Sequence, residues 1–212
     1  MEYKFNTIKP LLLTCSIAIL FNGCFFSSPK FNLDNETIQL EECQKLQSKE
    51  KRINCYNDLS SDNSIAALKL GIFNADNKNY DKAFEYLSNS KEMGNYYANL
   101  PLAYLYFRGT GVEKDSQKSI ELLEESAQKD ANAAFQLSKF YAKGKTIAQN
   151  TTKALNYLTS AANKNMFIAQ KELAIVYSKG LFDVEKDEIK AKYWQEKANN
   201  NKSDKTFDIY KL

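Results

Sequence analysis

Residues 131–144 read Ala131-Asn132-Ala133-Ala134-Phe135-Gln136-Leu137-Ser138-Lys139-Phe140-Tyr141-Ala142-Lys143-Gly144. Ala133, Leu137 and Tyr141 stand four apart, so they fall on one face of a helix. Ser138 adds a second small side chain beside Leu137, and small residues on such a face let another helix approach closely. Gly144 closes the run, as glycine does past a helix end. The segment predicts one helix with a narrow, closely packed face.

The same columns recur on both sides of it. Leu70, Leu102, Leu137 and Leu173 are anchors spaced by 32, 35 and 36 residues. Four residues before them lie Ala66, Ala98, Ala133 and Ala169; directly after them lie Gly71, Ala103, Ser138 and Ala174; four after lie Asn74, Tyr106, Tyr141 and Tyr177. A second helix follows each first one. Its expected N-caps are Asn79, Asp115, Asn150 and Asp187. Then come a small residue (Ala83, Ser119, Ala154, Ala191) preceded each time by lysine, a large one (Tyr86, Leu122, Tyr157, Trp194), and another small one (Ser90, Ser126, Ala161, Ala198). Each hairpin has an apolar face that it cannot bury alone, so neighbours must stack. Pro101 falls inside the first helix of the second hairpin; proline is tolerated only in a first turn. That helix is expected to start late, with Asn99 as its cap, or to kink.

The connectors separate two types of hairpin. From anchor to the small residue of the second helix is 13 residues in the first hairpin and 17, 17 and 18 in the others. The longer connectors run Arg108-Gly109-Thr110-Gly111-Val112, Lys143-Gly144…Ile147 and Lys179-Gly180…Val184. These three hairpins resemble the Sel1-like repeat. The first, Leu70-Gly71…Tyr80-Asp81-Lys82-Ala83…Tyr86, resembles the related tetratricopeptide repeat. The resemblance covers roughly residues 61–200, in four units of about 61–95, 96–130, 131–165 and 166–200. It implies an all-α fold, a right-handed α-α solenoid of the tetratricopeptide/Sel1-like superfamily.

That resemblance also implies an adaptor that binds a protein or peptide partner. In such arrays the first helices line the concave face, which places there Ile72, Asp76, Tyr104, Arg108, Lys139, Lys143, Ile175 and Lys179, with Leu68, Leu100, Phe135 and Lys171 two residues before the anchors. Tyr104, Arg108, Phe135, Lys139, Lys143, Lys171 and Lys179 form the candidate groove, basic and partly aromatic, suited to an acidic peptide or a terminal carboxylate. Cations at 108, 143 and 179 also suit the negative ends of their helices. Exported members of such families assemble envelope complexes or contact host proteins. Some secreted relatives are held to act on β-lactams, but no residue set here supports that chemistry. A hydrolase acting on cell-wall material or β-lactams, and a periplasmic regulator of a sensor or enzyme, stand as the alternative readings.

Composition narrows the choice. Hydrophobic residues make up 43% and charged ones 26% of 212 residues, which allows a buried core. There is no histidine, so Ser-His-Asp and Cys-His machinery and His-ligated metal are excluded, while carboxylate-pair hydrolysis and a Ser-Lys mechanism stay open; no enzyme, cofactor or metal site is expected. Gly109-Thr110-Gly111 lacks the preceding strand of a phosphate loop, and Glu121, Glu124 and Glu125 read as a solvated helix face.

The N-terminus reads as an export signal. Lys4 and Lys9 precede an apolar stretch, Leu11 to Phe21, too short to span a bilayer comfortably. Phe21-Asn22-Gly23-Cys24 resembles a bacterial lipobox, which implies lipidation of Cys24, with Phe21 and Asn22 departing from the usual residues. An ordinary secretory signal or an uncleaved anchor is the plainer reading. Phe25 in place of Asp implies outer-membrane sorting, on the periplasmic side or at the surface. Residues 1–23 are then a signal peptide, 24–36 a tether, 37–60 a two-cysteine helical segment and 201–212 a tail. Removing 1–23 takes away Lys4, Lys9 and Glu2, leaving 27 basic and 25 acidic side chains, or +2; that balance gives no pull toward nucleic acid.

Cys43 and Cys55 form an even pair once Cys15 and Cys24 are set aside, which in an oxidising compartment suggests a disulfide. On one continuous helix they would lie about 18 Å apart, beyond the ~7 Å a disulfide allows. A bonded pair therefore requires a helix break near Ser48-Lys49; two reduced thiols on one solvated helix is the other option. The run Cys43…Cys55-Tyr56-Asn57 resembles a Cys-x11-Cys-Tyr-Asp segment of exported bacterial proteins, with Asn57 in the Asp position.

Overall fold

Short polar side chains set where the helices begin. Asn63, Asp115, Asn150 and Asp187 each accept a hydrogen bond from the backbone N–H three residues on, at 2.8–2.9 Å, which satisfies a donor the helix itself cannot. The computed structural model describes residues 31–201 and 209–211. Among these are ten α-helices, one 3-10 turn and no strand. α1 (Leu33–Lys45) and α2 (Lys49–Leu59) precede four hairpins: α3 (Ser64–Asp76) with α4 (Tyr80–Glu92), α5 (Asn99–Arg108) with α6 (Ser116–Ser126), α7 (Ala131–Lys143) with α8 (Thr151–Asn163), and α9 (Phe167–Lys179) with α10 (Glu188–Asn201). Packing is densest within each hairpin, and α4 on α5, α6 on α7 and α8 on α9 join neighbours into a solenoid.

The columns form the core. Ala66, Ala98, Ala133, Ala169, Leu137 and Leu173 are fully buried, as are Ala83, Ala154, Ala161 and Ala198. A Cβ added at Gly71 would lie 2.5 Å from Leu87 Cγ, so α4 approaches α3 too closely there for any larger residue. Gly109, Gly144 and Gly180 take φ of 69°, 65° and 67° and end α5, α7 and α9 in the left-handed conformation.

One bond unifies the two connector types. The N–H of Asp115, Asn150 and Asp187 donates to the carbonyl of Tyr106, Tyr141 and Tyr177 at 2.9, 3.0 and 2.9 Å. The shorter first connector makes the same closure, Asn79 N–H to Asn74 O at 2.8 Å. Asn79 differs in making no side-chain cap bond.

Local detail departs from expectation in three places. α5 starts late, but Asn99 is its first helical residue rather than its cap; Asn95 caps the preceding 3-10 turn, Tyr96–Ala98, accepting from Tyr97 N–H at 3.0 Å. Pro101 thus sits in the first turn, where it breaks no bond. α1 begins at Leu33, inside the expected tether, because Asn32 caps it; Phe31 stacks edge-on with Tyr96 at 5.4 Å and Tyr97 at 6.2 Å. Finally, residues 209–211 of the expected tail dock onto the solenoid.

The helix break falls between Lys45 and Lys49, with Ser48 capping α2. Cys43 and Cys55 are disulfide-bonded with Cα atoms 5.6 Å apart. The hairpin docks on α3 through Glu36, whose carboxylate accepts from Ser64 Oγ at 2.6 Å and Ile65 N–H at 3.1 Å. No described helix is long and apolar enough to cross a membrane.

Candidate interaction face

The first helix of each hairpin carries the candidate groove. Arg108, Lys143 and Lys179 are the last residues of α5, α7 and α9 and are all exposed. Each lies where the helix dipole is negative, so a cation is favourable there before any ligand arrives. Among the described residues, none of these three, nor Lys139 or Lys171, forms an ion pair.

Between α3 and α5 the row deepens into a cleft of about 360 Å³ lined by Ile72, Asp76, Tyr80, Tyr104, Arg108 and Thr110, among others. Tyr104 is 37% exposed. Burial of part of its ring raises its phenol above the usual tyrosine value, and the Arg108 guanidinium pulls the other way. The phenol therefore stays protonated at neutral pH, a hydrogen-bond donor beside a fixed cation. Further along, Phe135 is only 3% exposed. It is a floor rather than a contact surface, because Lys139 Nζ lies 4.1 Å above its ring. Lys171 lies likewise 5.5 Å over Phe167, a partner that the columns did not single out.

The recurrent lysine of the second helices is already engaged in three hairpins: Lys118 pairs with Glu121 at 3.6 Å. Lys153 lies 4.8 Å over Tyr141 and Lys190 5.2 Å over Tyr177. Tyr141 also stacks on Tyr157 at 5.8 Å and donates to Glu124 Oε1 at 2.8 Å. Glu125 binds Lys91 at 2.7 Å across two hairpins. Glu124 and Glu125 are thus ties between repeats.

At the opposite ends of the first helices the chain meets itself. Ile209 is 7% exposed and joins the core. Tyr210 donates through its hydroxyl to Asp130 Oδ2 at 2.6 Å, with Tyr97 O at 3.2 Å as a second acceptor, and packs edge-on against Tyr97 at 6.0 Å. Lys69, 2% exposed, donates from Nζ to Lys211 O at 2.5 Å and Ile209 O at 3.4 Å. Asp130 Oδ1 meanwhile caps α7 through Asn132 N–H at 2.9 Å. Burial raises the Asp130 carboxyl above its usual value, and the Tyr210 hydroxyl opposes that rise. Column reading placed Lys69 one residue off the anchor and gave it no role. Cys24, the candidate lipidation residue, lies outside the described residues, as do residues 1–23.

Stacked helical hairpins, three of whose first helices end in glycine, with no strand among the described residues, define an α-α solenoid repeat protein. The Sel1 repeat matches at residues 64–95, 97–130, 131–166 and 168–203, more than half of the chain, and the chain belongs to that family. The short-connector first hairpin is matched by the same repeat as the other three. The chain is similar to a Sel1 repeat protein from Oxalobacter formigenes of known structure, with 26% identity and TM-score 0.69, covering 78% of this chain and 73% of that one. It shares its fold with c5321, described as a protective antigen of uropathogenic Escherichia coli strains, with 23% identity and TM-score 0.62 over 80% of this chain and 38% of that one. Chitin synthase regulatory factor 2 of Schizosaccharomyces pombe is 29% identical over 123 residues, 54% of this chain, which spans about a quarter (24%) of that relative. Sel1 repeat proteins generally mediate protein–protein interaction and are typically not catalytic.

Proposed function

We propose that this protein is a lipid-anchored scaffold of the bacterial envelope that holds an acidic protein or peptide partner against the first helices of its solenoid. The observation that carries the reading is the cationic row Arg108, Lys139, Lys143, Lys171 and Lys179, none of which forms an ion pair among the described residues, beside the Tyr104 cleft. A surface of exposed cations beside a protonated phenol offers donors in excess, which carboxylates and carbonyls match. Anchoring rests on the lipobox-like Phe21-Asn22-Gly23-Cys24, and export is supported by the disulfide, a bond that persists in an oxidising compartment. A photo-crosslinker at Tyr104 should capture one dominant partner from envelope extracts, and Cys24→Ser should release the protein from membranes and leave unprocessed precursor. Capture equally efficient from a position on the second helices, or unchanged membrane fractionation and mass in Cys24→Ser, would overturn the two halves of the reading.

A further inference from the structure

The docked C-terminal residues describe a site. Burying an ammonium is costly unless it meets acceptors, and Lys69 meets main-chain carbonyls of residues 209 and 211, which the turn over 209–210 brings together and which any peptide making the same turn would present. Asp130 uses one oxygen for its helix and the other for a phenol, a short charge-assisted bond. Tyr97 offers a ring edge and its carbonyl to the same phenol, and Ile209 fills an apolar hollow. None of these contacts requires that the bound residues belong to this chain. The recognised features include two carbonyls, an aliphatic side chain and the tyrosine next to it.

We propose that the Lys69–Tyr97–Asp130 site is a peptide-binding subsite for a partner segment carrying an adjacent aliphatic–tyrosine pair, and that Ile209-Tyr210-Lys211 is a built-in competitor for it. The reasoning rests on the reading of the protein as a binding scaffold, but the site, built from the α7 cap Asp130, Tyr97 in the turn before α5 and Lys69 in the middle of α3, uses none of the cations that end α5, α7 and α9. Ile209 follows the end of α10 by eight residues, a reach of at most about 29 Å. Covalent attachment through so few residues raises the competitor's effective concentration at the site. A partner with the same contacts binds only when it outcompetes that concentration, so the site discriminates against weak or dilute peptides.

The test uses the full chain with Ile209→Ala and Tyr210→Ala, and as probe a labelled peptide of residues 204–212, DKTFDIYKL. The double variant should bind the peptide at least tenfold more tightly than the wild type does. A phenylalanine in place of the peptide's tyrosine should weaken binding severalfold, and a scrambled peptide should not bind. Reversing Lys139, Lys143 and Lys171 to Glu in the same background should leave peptide binding unchanged, so this site and the cationic row fail separately. A double variant that keeps its helical content and binds no peptide overturns the proposal, since the segment is then a fixed part of the fold. If the double variant unfolds, hydrogen exchange of the wild type decides. Tyr210 and Lys211 amides exchanging far faster than those of α7 support a displaceable segment; equal protection overturns it. Concentration-dependent dimerisation that the double substitution abolishes would assign the site to a second copy and overturn the partner reading.

Discussion

The first helices of the four hairpins have two kinds of end. Three N-terminal ends are met by other parts of the chain. α3 is met by Glu36 of α1, α7 by Tyr210, and α9 by Asn201, which donates to Asn165 O and, at 3.2 Å, to Gln170 Oε1. Three C-terminal ends carry Arg108, Lys143 and Lys179 into solvent, each followed by a left-handed glycine. Helix polarity accounts for part of this. The N-terminal N–H groups need acceptors, and the chain supplies them from Glu36, Asn63 and Asp130. The C-terminal ends favour cations, which water solvates well. One set of ends is therefore covered by other parts of the chain, and the other carries its cations in solvent.

Substitutions at the covered ends should cost stability. Replacing both Cys43 and Cys55 by Ser opens a loop of sequence separation 12 and should lower the stability of the α1–α2 hairpin by about 3 kcal/mol. Denaturant titration with exchange read at Leu40 and Tyr56 checks this; a loss under ~0.5 kcal/mol would mean that Glu36 and the buried Leu40 hold the hairpin unaided. Asp130→Ala removes the α7 cap, about 1 kcal/mol, and the acceptor of Tyr210, about 1 kcal/mol or more. Thermal melting should therefore show a loss of roughly 2 kcal/mol, with Asp130→Asn, which can still cap, losing less.

Two acids, the buried Asp130 and the mostly exposed Glu125, should also respond to pH with opposite signs. Burial raises the Asp130 carboxyl. The folded state then holds its proton more tightly than the unfolded state, and stability from this group is lost as pH rises through its folded value. For Glu125, burial pushes upward but the Lys91 bond and charge outweigh it, and the net shift is downward. Its contribution is present above the ordinary glutamate value and lost as pH falls through the lower, folded one. The Lys91–Glu125 pair is partly exposed, so Lys91→Met should cost less than about 1 kcal/mol at pH 7. It should also flatten the acid side of the stability profile measured by urea titration between pH 3 and 7. An unchanged acid slope would place the acid sensitivity elsewhere.

The hairpins were legible in the sequence because their signals are local. Alanine, leucine and tyrosine four apart, an Asx cap and a glycine stop each act within one turn or one connector. The break between Cys43 and Cys55 followed from helix rise against disulfide reach. Asn99 was misread as a cap because Pro101 only demands a nearby helix start, and Asn95 with a 3-10 turn meets that demand as well. Phe135 was placed in the groove by its position, but a lysine one turn on covers it. The docking of Ile209, Tyr210 and Lys211 was not legible. Three residues have no periodicity, and their partners lie 80 to 142 positions away.

Reversal of Lys139, Lys143 and Lys171 together tests the account most directly. These side chains lie off the packing columns, so Lys139→Glu/Lys143→Glu/Lys171→Glu should keep its helical circular dichroism and melt within about 0.5 kcal/mol per site of the wild type. Pull-down from envelope extracts should then recover none of the partner that the wild type captures, because like charges repel an acidic surface. Ala133→Trp, on a fully buried column, serves as the opposite control, losing about 1–3 kcal/mol or more through overpacking. A folded triple variant that captures the partner as well as the wild type does would contradict the account and move the binding surface to the second helices or the α1–α2 hairpin.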